Sequence, residues 1–279
     1  MKRRKFTYYQ LVIALLTVFY GCTEEIDLKL NDSFPRLVVE GHISTDTVYQ
    51  KVILSKTAAY LGDVKVPAVS GADIKVSDGQ HEYLFVPSGF QQGVYYSQLR
   101  FAGIPGKTYR ISISNVDIDG DGKSETYHAE DKMKNFFYVD SLQSVKEERN
   151  GQTFFHIYGF AQEPPTPGDF YMFRYYVNGT LISDSLDEYR LYNDEFVNGN
   201  YLSHIPMGTV RAKVGDTLTI ESNSISEGFF NFFLSFLFET VYSGNAFSGP
   251  PANIESNLDN GALGYFGTEA RTRFDYILK

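Results

Sequence analysis

A short acidic stretch has the spacing of a calcium-binding loop. Carboxylates recur at its first, third, fifth and ninth positions, and Gly122 occupies the sixth position, where a sharp turn is needed. In such loops alternate side chains converge on one cation. The twelfth position, where a bidentate glutamate is expected, holds His128. We therefore predict either a calcium site without flanking helices or an exposed polar hairpin tip at Asp117, Asp119, Asp121 and Glu125.

The single cysteine, Cys22, follows the features of a lipoprotein signal peptide. Residues 2–5 are all Lys or Arg, residues 11–20 form an apolar run too short to span a bilayer, and Gly21 precedes the cysteine. Cleavage there would free the amine and thiol of Cys22 for acylation, and several acyl chains anchor a protein stably. The sequence predicts a signal peptide over residues 1–21 and lipidation, including palmitate, at Cys22. The alternative is an ordinary secretory signal with a chance cysteine.

Acidic residues follow the cysteine directly, at Glu24, Glu25 and Asp27. They resemble the export signal that sends lipoproteins of the phylum Bacteroidota to the outer face of the outer membrane. We therefore expect an outer-membrane lipid anchor on the extracellular face, with the periplasmic face as the alternative.

Composition narrows the classes of function. Removing the four cations of residues 1–21 from the formal net charge of −9 leaves −13, which disfavours nucleic acid as a partner. With Cys22 acylated, no cysteine is left for a disulfide, a thiolate metal site or a nucleophile. The five histidines are scattered, and no nucleophile elbow or phosphate loop occurs. We expect no enzyme activity and no cofactor beyond the calcium considered above.

Short runs rich in branched and aromatic residues alternate with turn signals after residue 35. They lie at residues 37–43, 49–55, 73–77, 81–86, 94–99 and 108–114. Asp78 and Gly79 are a hairpin signal between two of them. This spacing predicts an immunoglobulin-like or prealbumin-like β-sandwich over residues 36–115. Residues 22–35, which are polar and without periodicity, would be the lipidated tether.

Residues 116–135 carry charge and glycine but few apolar side chains, so we predict an acidic connecting loop there. A second β domain is expected over residues 136–279. Asn178 and Gly179 give the clearest hairpin signal in it. Its predicted strands lie at residues 136–145, 153–161, 169–177, 186–192, 217–223 and 272–278.

One helix is predicted near residues 226–242. Polar residues recur every four positions, which leaves a narrow polar stripe on an otherwise apolar helix. Ser224 and Glu227 have the spacing of a capping box. We expect a helix packed on the second sheet and buried over most of its circumference. The predicted fold class is therefore mainly β, with one packed helix.

The C-terminal stretch resembles the closing signature of a known family. The matching residues are 245–258 and 261–267, with further matches at 22–28, 37–41, Ile43, 69–72 and 105–109. On these residues the chain is similar over nearly its whole length to domain-of-unknown-function family 4249, outer-membrane lipoproteins of Bacteroidota. The resemblance brings no catalytic residues. It implies an accessory role beside a TonB-dependent outer-membrane receptor, because similar proteins are typically encoded next to one.

Together these features predict a lipoprotein that acts as a non-catalytic accessory or as a ligand-binding partner of a TonB-dependent uptake system. Its ligand would be a small molecule that the sequence does not identify. Two alternatives stay open, a structural or adhesive surface lipoprotein and an unrecognised hydrolase.

Overall fold

A computed structural model describes residues 35–57, 66–182, 188–240 and 254–279. These ranges form fifteen strands and one helix, so the predicted mainly β fold with one helix is confirmed. The first strands are β1 (Leu37–Ser44), β2 (Lys51–Lys56), β3 (Asp73–Ser77), β4 (Glu82–Pro87), β5 (Val94–Ser97), β6 (Thr108–Val116), β7 (Glu125–Lys132) and β8 (Ser141–Arg149). The others are β9 (Gln152–Gln162), β10 (Phe170–Val177), β11 (Thr180–Leu181), β12 (Arg190–Asn193), β13 (Tyr201–Arg211), β14 (Thr217–Ile225) and β15 (Leu263–Ile277), with helix α1 (Glu227–Thr240) between β14 and β15.

Twelve strands form one sheet and three form another. The large sheet has the order β11-β10-β14-β15-β1-β2-β5-β4-β3-β6-β7, and β12 also pairs with β10. The small sheet has the order β13-β9-β8. The last strand, β15, runs parallel to β1 and antiparallel to β14. Strands from both predicted β regions therefore share the large sheet.

The first core lies inside the curled half of the large sheet, between β1–β7 and β15. It is built from alternating apolar positions such as Val39, Val52 and Ile111. The sheet curls far enough that β7 returns to β15, where a carboxylate oxygen of Asp131 accepts hydrogen bonds at 2.7 Å from both the backbone N–H and the hydroxyl of Thr268. This contact closes the core.

The prediction of a connecting loop over residues 116–135 is wrong in its extent. The loop ends earlier in the structure, because residues 125–132 form β7. The inward positions of β7 are Tyr127, Ala129 and Asp131. Since one of the three is charged, the strand lacks the apolar alternation that identifies strands in a sequence.

The second core lies between the small sheet and the C-terminal half of the large sheet. Phe155 and Ile157 of β9 face Tyr171 and Phe173 of β10 and Leu218 of β14. The sequence analysis missed β13, the outer strand of the small sheet. Its pairing with β9 is interrupted by two register shifts, which disturb the alternating pattern.

Helix α1 packs against β15 and β10. Its N-cap is Ser226, whose hydroxyl accepts the N–H of Phe229 at 3.2 Å, and not Ser224, which lies in β14. The helix is less buried than predicted, because only one side of it meets strands in the part of the chain that the structure describes. Phe230 and Leu237 are buried, whereas Phe238 is 57% exposed. No helix within the described ranges is long and apolar enough to cross a membrane.

Strand β15 is longer than the final strand predicted over residues 272–278. It begins at Leu263, in a stretch where Gly261, Gly264 and Gly267 disfavour a strand. Gly264 has φ +90°, and a Cβ there would lie 2.0 Å from the carbonyl oxygen of Val39. The glycine is therefore required by the close approach of β1, so it does not interrupt the strand.

Candidate functional site

The structure brings three of the four predicted calcium ligands together. The carboxylate oxygens of Asp117, Asp119 and Asp121 lie within 4.8 Å of one another on an exposed turn before β7. Glu125 is not part of this group, because its carboxylate accepts the hydroxyl of Tyr127 in a short hydrogen bond. The predicted fourth ligand is therefore engaged elsewhere.

Internal hydrogen bonds already hold this acidic turn. The carboxylate of Asp117 accepts the N–H groups of Gly120 at 2.8 Å and Gly122 at 3.0 Å. Lys123 donates from Nζ to Asp121 at 2.9 Å. A cation would have to displace that ammonium group, so calcium stays a prediction.

Cys22, the predicted lipidation site, lies outside the described residues.

A concave site at the rim of the second core is lined by aromatic side chains, and we call it the aromatic cleft. It has a volume of about 680 Å³. This volume lies within the range of about 300–1,000 Å³ that is typical of small-molecule sites. Its buried floor includes Phe137, Ala161, Glu163, Tyr171, Phe173 and Met207. Its exposed mouth includes Asn193, Asn200, Tyr201, Ser203 and His204.

The floor of the cleft is rigid because its aromatic rings pack against one another. The rings of Phe137 and Tyr171 have centroids 4.3 Å apart, and Phe173 meets Tyr192 edge to face at 5.6 Å. The hydroxyl of Tyr192 donates to the carbonyl oxygen of Pro206 at 2.7 Å, which ties β12 to β13. The site is thus shaped before any ligand binds.

A β-bulge places His204 at the mouth. The pairing of β13 with β9 shifts register between Leu202 and Ile205, and His204 within that shift has φ +55°. Non-glycine residues with positive φ are uncommon, and bulges re-aim side chains beside functional sites. The imidazole packs edge to face on Phe160, with centroids 4.8 Å apart. The bulge therefore turns a polar ring towards the opening.

Glu163 is the acidic group of the cleft floor. It directly follows β9 and is only 1% exposed. Its backbone N–H donates to the carbonyl of Asn200 at 3.0 Å, and the hydroxyl of Tyr171 donates to its Oε1 at 2.6 Å. Burial raises the pKa of this carboxyl group above its ordinary value, although the Tyr171 hydrogen bond opposes the rise.

Two further carboxylates lie behind Glu163. Oxygens of Glu163, Asp169 and Asp194 are all within 4.8 Å of one another, so they could share a cation. Their proximity raises the pKa of Glu163 further, since two like charges disfavour its ionised form. The N–H of Gly168 donates to Asp194 at 2.9 Å. The result is a strongly acidic site at the inner end of the cleft.

An ionic network on the other face of the large sheet is balanced and has a structural role. It consists of Arg174, Arg271 and Arg273 with Asp46, Glu221 and Glu269. Glu269 is fully buried, and burial alone would favour its neutral form. Arg174, His42 and Arg271 nevertheless hold its pKa well below the ordinary range. Three cations match three anions, so the network joins β10, β14 and β15 without excess charge.

Sequence reasoning missed the cleft and its acid. In the sequence Glu163 begins a proline-rich stretch, which indicates only a turn, and His204 is one of five scattered histidines. The available signals were the proline-rich segment directly after a strand and the aromatic residues of β10. Neither signal shows that β13 packs beside this segment. The pairing of β13 with β9 joins residues that lie about forty positions apart in the sequence.

Comparison with known families gives one match. The model of the family described as Domain of unknown function (DUF4249) matches residues 23–274. A comparison with curated proteins finds no match. The match covers the acidic turn, the aromatic cleft, the first core and all of the second core except Tyr276 and Leu278.

Proposed function

We propose that this chain, which belongs to the family described as domain of unknown function DUF4249, is a non-catalytic ligand-binding lipoprotein of the outer membrane. It is anchored through Cys22, faces the cell exterior, and serves a TonB-dependent uptake system. The observation that carries the binding role is the aromatic cleft, which is concave, largely apolar and formed on a rigid β scaffold.

The anchor and the partner are supported by the sequence. The basic residues, the apolar run and Gly21 before Cys22 support lipidation. The acidic residues after Cys22 and the resemblance to Bacteroidota lipoproteins support the outer membrane and the receptor. A lipid anchor confines the protein to the surface of the receptor's membrane, so a weak contact gains a high effective concentration.

Replacing Cys22 tests the anchor. In Cys22→Ser, the protein should leave the membrane fraction and lose metabolic palmitate labelling. The conservative neighbour Thr23→Ser should remain anchored and labelled, because it keeps the thiol. Labelling that persists in Cys22→Ser contradicts the proposal.

The partner is tested by purifying the tagged wild-type protein from outer membranes in mild detergent. We expect a TonB-dependent receptor to co-purify, and Cys22→Ser to recover less of it. Recovery of the protein without any outer-membrane receptor, together with unchanged growth on every tested nutrient after deletion, would favour a structural or adhesive role instead.

A further inference from the structure

We propose that the aromatic cleft binds a small organic cation, an amine with an apolar or aromatic body, whose charged group lies against Glu163. This inference rests on the proposed binding function and names the class of ligand. It is carried by the charge, the hydrogen bonding and the ring lining of the cleft.

The charge of the cleft is one-sided. Among the described residues that line it there is no lysine or arginine, and Glu163 is its only carboxylate. Asp169 and Asp194 stand behind Glu163 and add negative potential. Lys134, which acts on Asp169, donates from Nζ to the carbonyl of Gly168 at 2.6 Å, and its ammonium group lies 5.9 Å from the centre of the Phe170 ring. The inner end of the cleft therefore favours a positive group and repels an anion.

Glu163 has an oxygen available for such a group. Its Oε1 accepts the Tyr171 hydroxyl, and no hydrogen bond to Oε2 occurs among the residues that the structure describes. Its backbone is held by Asn200, so the carboxylate is fixed in place. An ammonium N–H could donate to Oε2 in a charge-assisted hydrogen bond.

The aromatic side chains that line the cleft suit the apolar or aromatic body of the proposed ligand. Tyr171, Phe173 and Tyr192 present aromatic rings beside Glu163, and Tyr201 at the mouth is 57% exposed. Aromatic faces attract organic cations and also pack against apolar or aromatic bodies. The volume of about 680 Å³ is large enough for a compact amine.

Three probes of similar body separate charge from shape. Tyramine carries an ammonium group, 4-ethylphenol lacks it, and 3-(4-hydroxyphenyl)propionate replaces it with a carboxylate. Each is titrated into the purified full chain in detergent and followed by ligand-observed NMR. We expect tyramine to bind about tenfold tighter than 4-ethylphenol, and the carboxylate to bind weakest.

Two variants locate the effect. Glu163→Gln keeps the volume and an acceptor for Tyr171 but removes the charge, so the preference for tyramine should disappear. Glu148→Gln changes an exposed carboxylate on β8, outside the cleft, and should keep the full preference. An unchanged thermal midpoint or a higher one in Glu163→Gln shows that the variant is folded.

Several results overturn the inference. They are no binding of tyramine to wild type, equal affinity for 4-ethylphenol, or a full preference for tyramine in Glu163→Gln. Equal binding of the neutral probe would leave the cleft as a binding site and remove only the amine class. Failure of the proposed function would appear separately, in membrane anchoring and receptor recovery, which do not depend on the probe.

Discussion

At the scale of single residues, the most informative group is Glu163, because the fold buries its carboxyl group beside two other carboxylates. Glu163 is almost fully buried beside Asp169 and Asp194, and burial followed by those like charges raises its pKa. Glu269 is also fully buried, but the neighbouring side chains of Arg174, His42 and Arg271 lower its pKa. Arg174 and Arg271 therefore stabilise the ionised form of Glu269, whereas no salt bridge to Glu163 occurs among the described residues. A buried acid with a raised pKa in a cleft is typical of functional sites.

The first prediction concerns the stability of Glu163→Gln. A raised pKa means that ionised Glu163 destabilises the folded state at neutral pH, and this cost is relieved as pH falls through the folded pKa towards the unfolded value. The groups that face Glu163 are Tyr171, Asp169 and Asp194, with Lys134 acting on Asp169. We expect the variant to raise the free energy of unfolding at pH 7 by about 0.5–2 kcal/mol.

Urea denaturation at pH 7 and at pH 4 measures this effect. The gain over wild type should shrink at the lower pH, where wild-type Glu163 holds its proton. The exposed variant Glu148→Gln should show no such gain. Destabilisation by Glu163→Gln at pH 7 contradicts the assignment of a strained acid.

The second prediction concerns the acidic turn before β7. We expect weak calcium binding there, with a dissociation constant of about 0.1–1 mM, the range of extracellular calcium-binding modules. Asp119→Ala should abolish the heat of calcium binding, because Asp119 is one of three clustered carboxylates. Glu125→Gln should retain it, because Glu125 is bonded to Tyr127 outside the cluster.

Isothermal titration of calcium into the three proteins decides between the alternatives. No heat in wild type means that the turn is only a polar hairpin tip. Equal loss in Asp119→Ala and Glu125→Gln would mean that Glu125 leaves Tyr127 to coordinate the ion.

At the scale of elements, the sequence located most strands but not their limits or their partners. Residues 73–77 were predicted at their observed positions, and the Asn178-Gly179 hairpin joins β10 to β11 as expected. In that hairpin Asn178 and Gly179 have φ values of +49° and +78°. These signals are local, so they could be read from neighbouring residues.

The missed elements depend on long-range packing. Strand β7 carries a buried aspartate, Asp131, whose partners Thr268 and Ser226 lie far away in the sequence. Strand β13 carries a bulge whose geometry depends on β9. The extension of β15 depends on Gly264, a residue whose role is visible only when β1 lies beside it. The cleft was unpredictable for the same reason, since its lining combines residues of both sheets.

The third prediction tests the close approach of β15 to β1. Gly264→Ala forces a side chain into a left-handed backbone conformation and against the carbonyl of Val39. We expect a loss of about 3 kcal/mol or more in the free energy of unfolding. Gly71→Ala is a matched control, because Gly71 has φ +85° and its added Cβ would meet nothing within 4 Å.

Thermal unfolding of both variants separates the cost of the left-handed backbone conformation from the cost of the steric clash with Val39. The Gly71→Ala protein should lose only about 1 kcal/mol, the cost of the backbone conformation alone. Equal losses in the two variants would show that the parallel pairing of β1 with β15 tolerates a methyl group.

At the scale of the whole molecule, the large sheet forms the rigid support, and the aromatic cleft lies where the small sheet meets it. The large sheet joins the first and last strands of the described chain, and its ionic network and first core hold it together. The small sheet covers only part of it and leaves the aromatic cleft at its rim. Such an arrangement presents a preformed site on a rigid support, which is what the proposed binding role requires.

We propose that the aromatic cleft of this lipid-anchored protein holds a small ligand for a TonB-dependent receptor. The most direct test is native mass spectrometry of the full chain extracted from outer membranes in mild detergent. A bulky side chain at Ser203, which lies at the mouth of the cleft, should block entry, whereas Gln152→Trp changes an exposed position of β9 outside it. We predict a small-ligand adduct on wild type and on Gln152→Trp, and its loss in Ser203→Trp with the receptor still bound. An adduct unchanged in Ser203→Trp, or none on wild type, would contradict the claim.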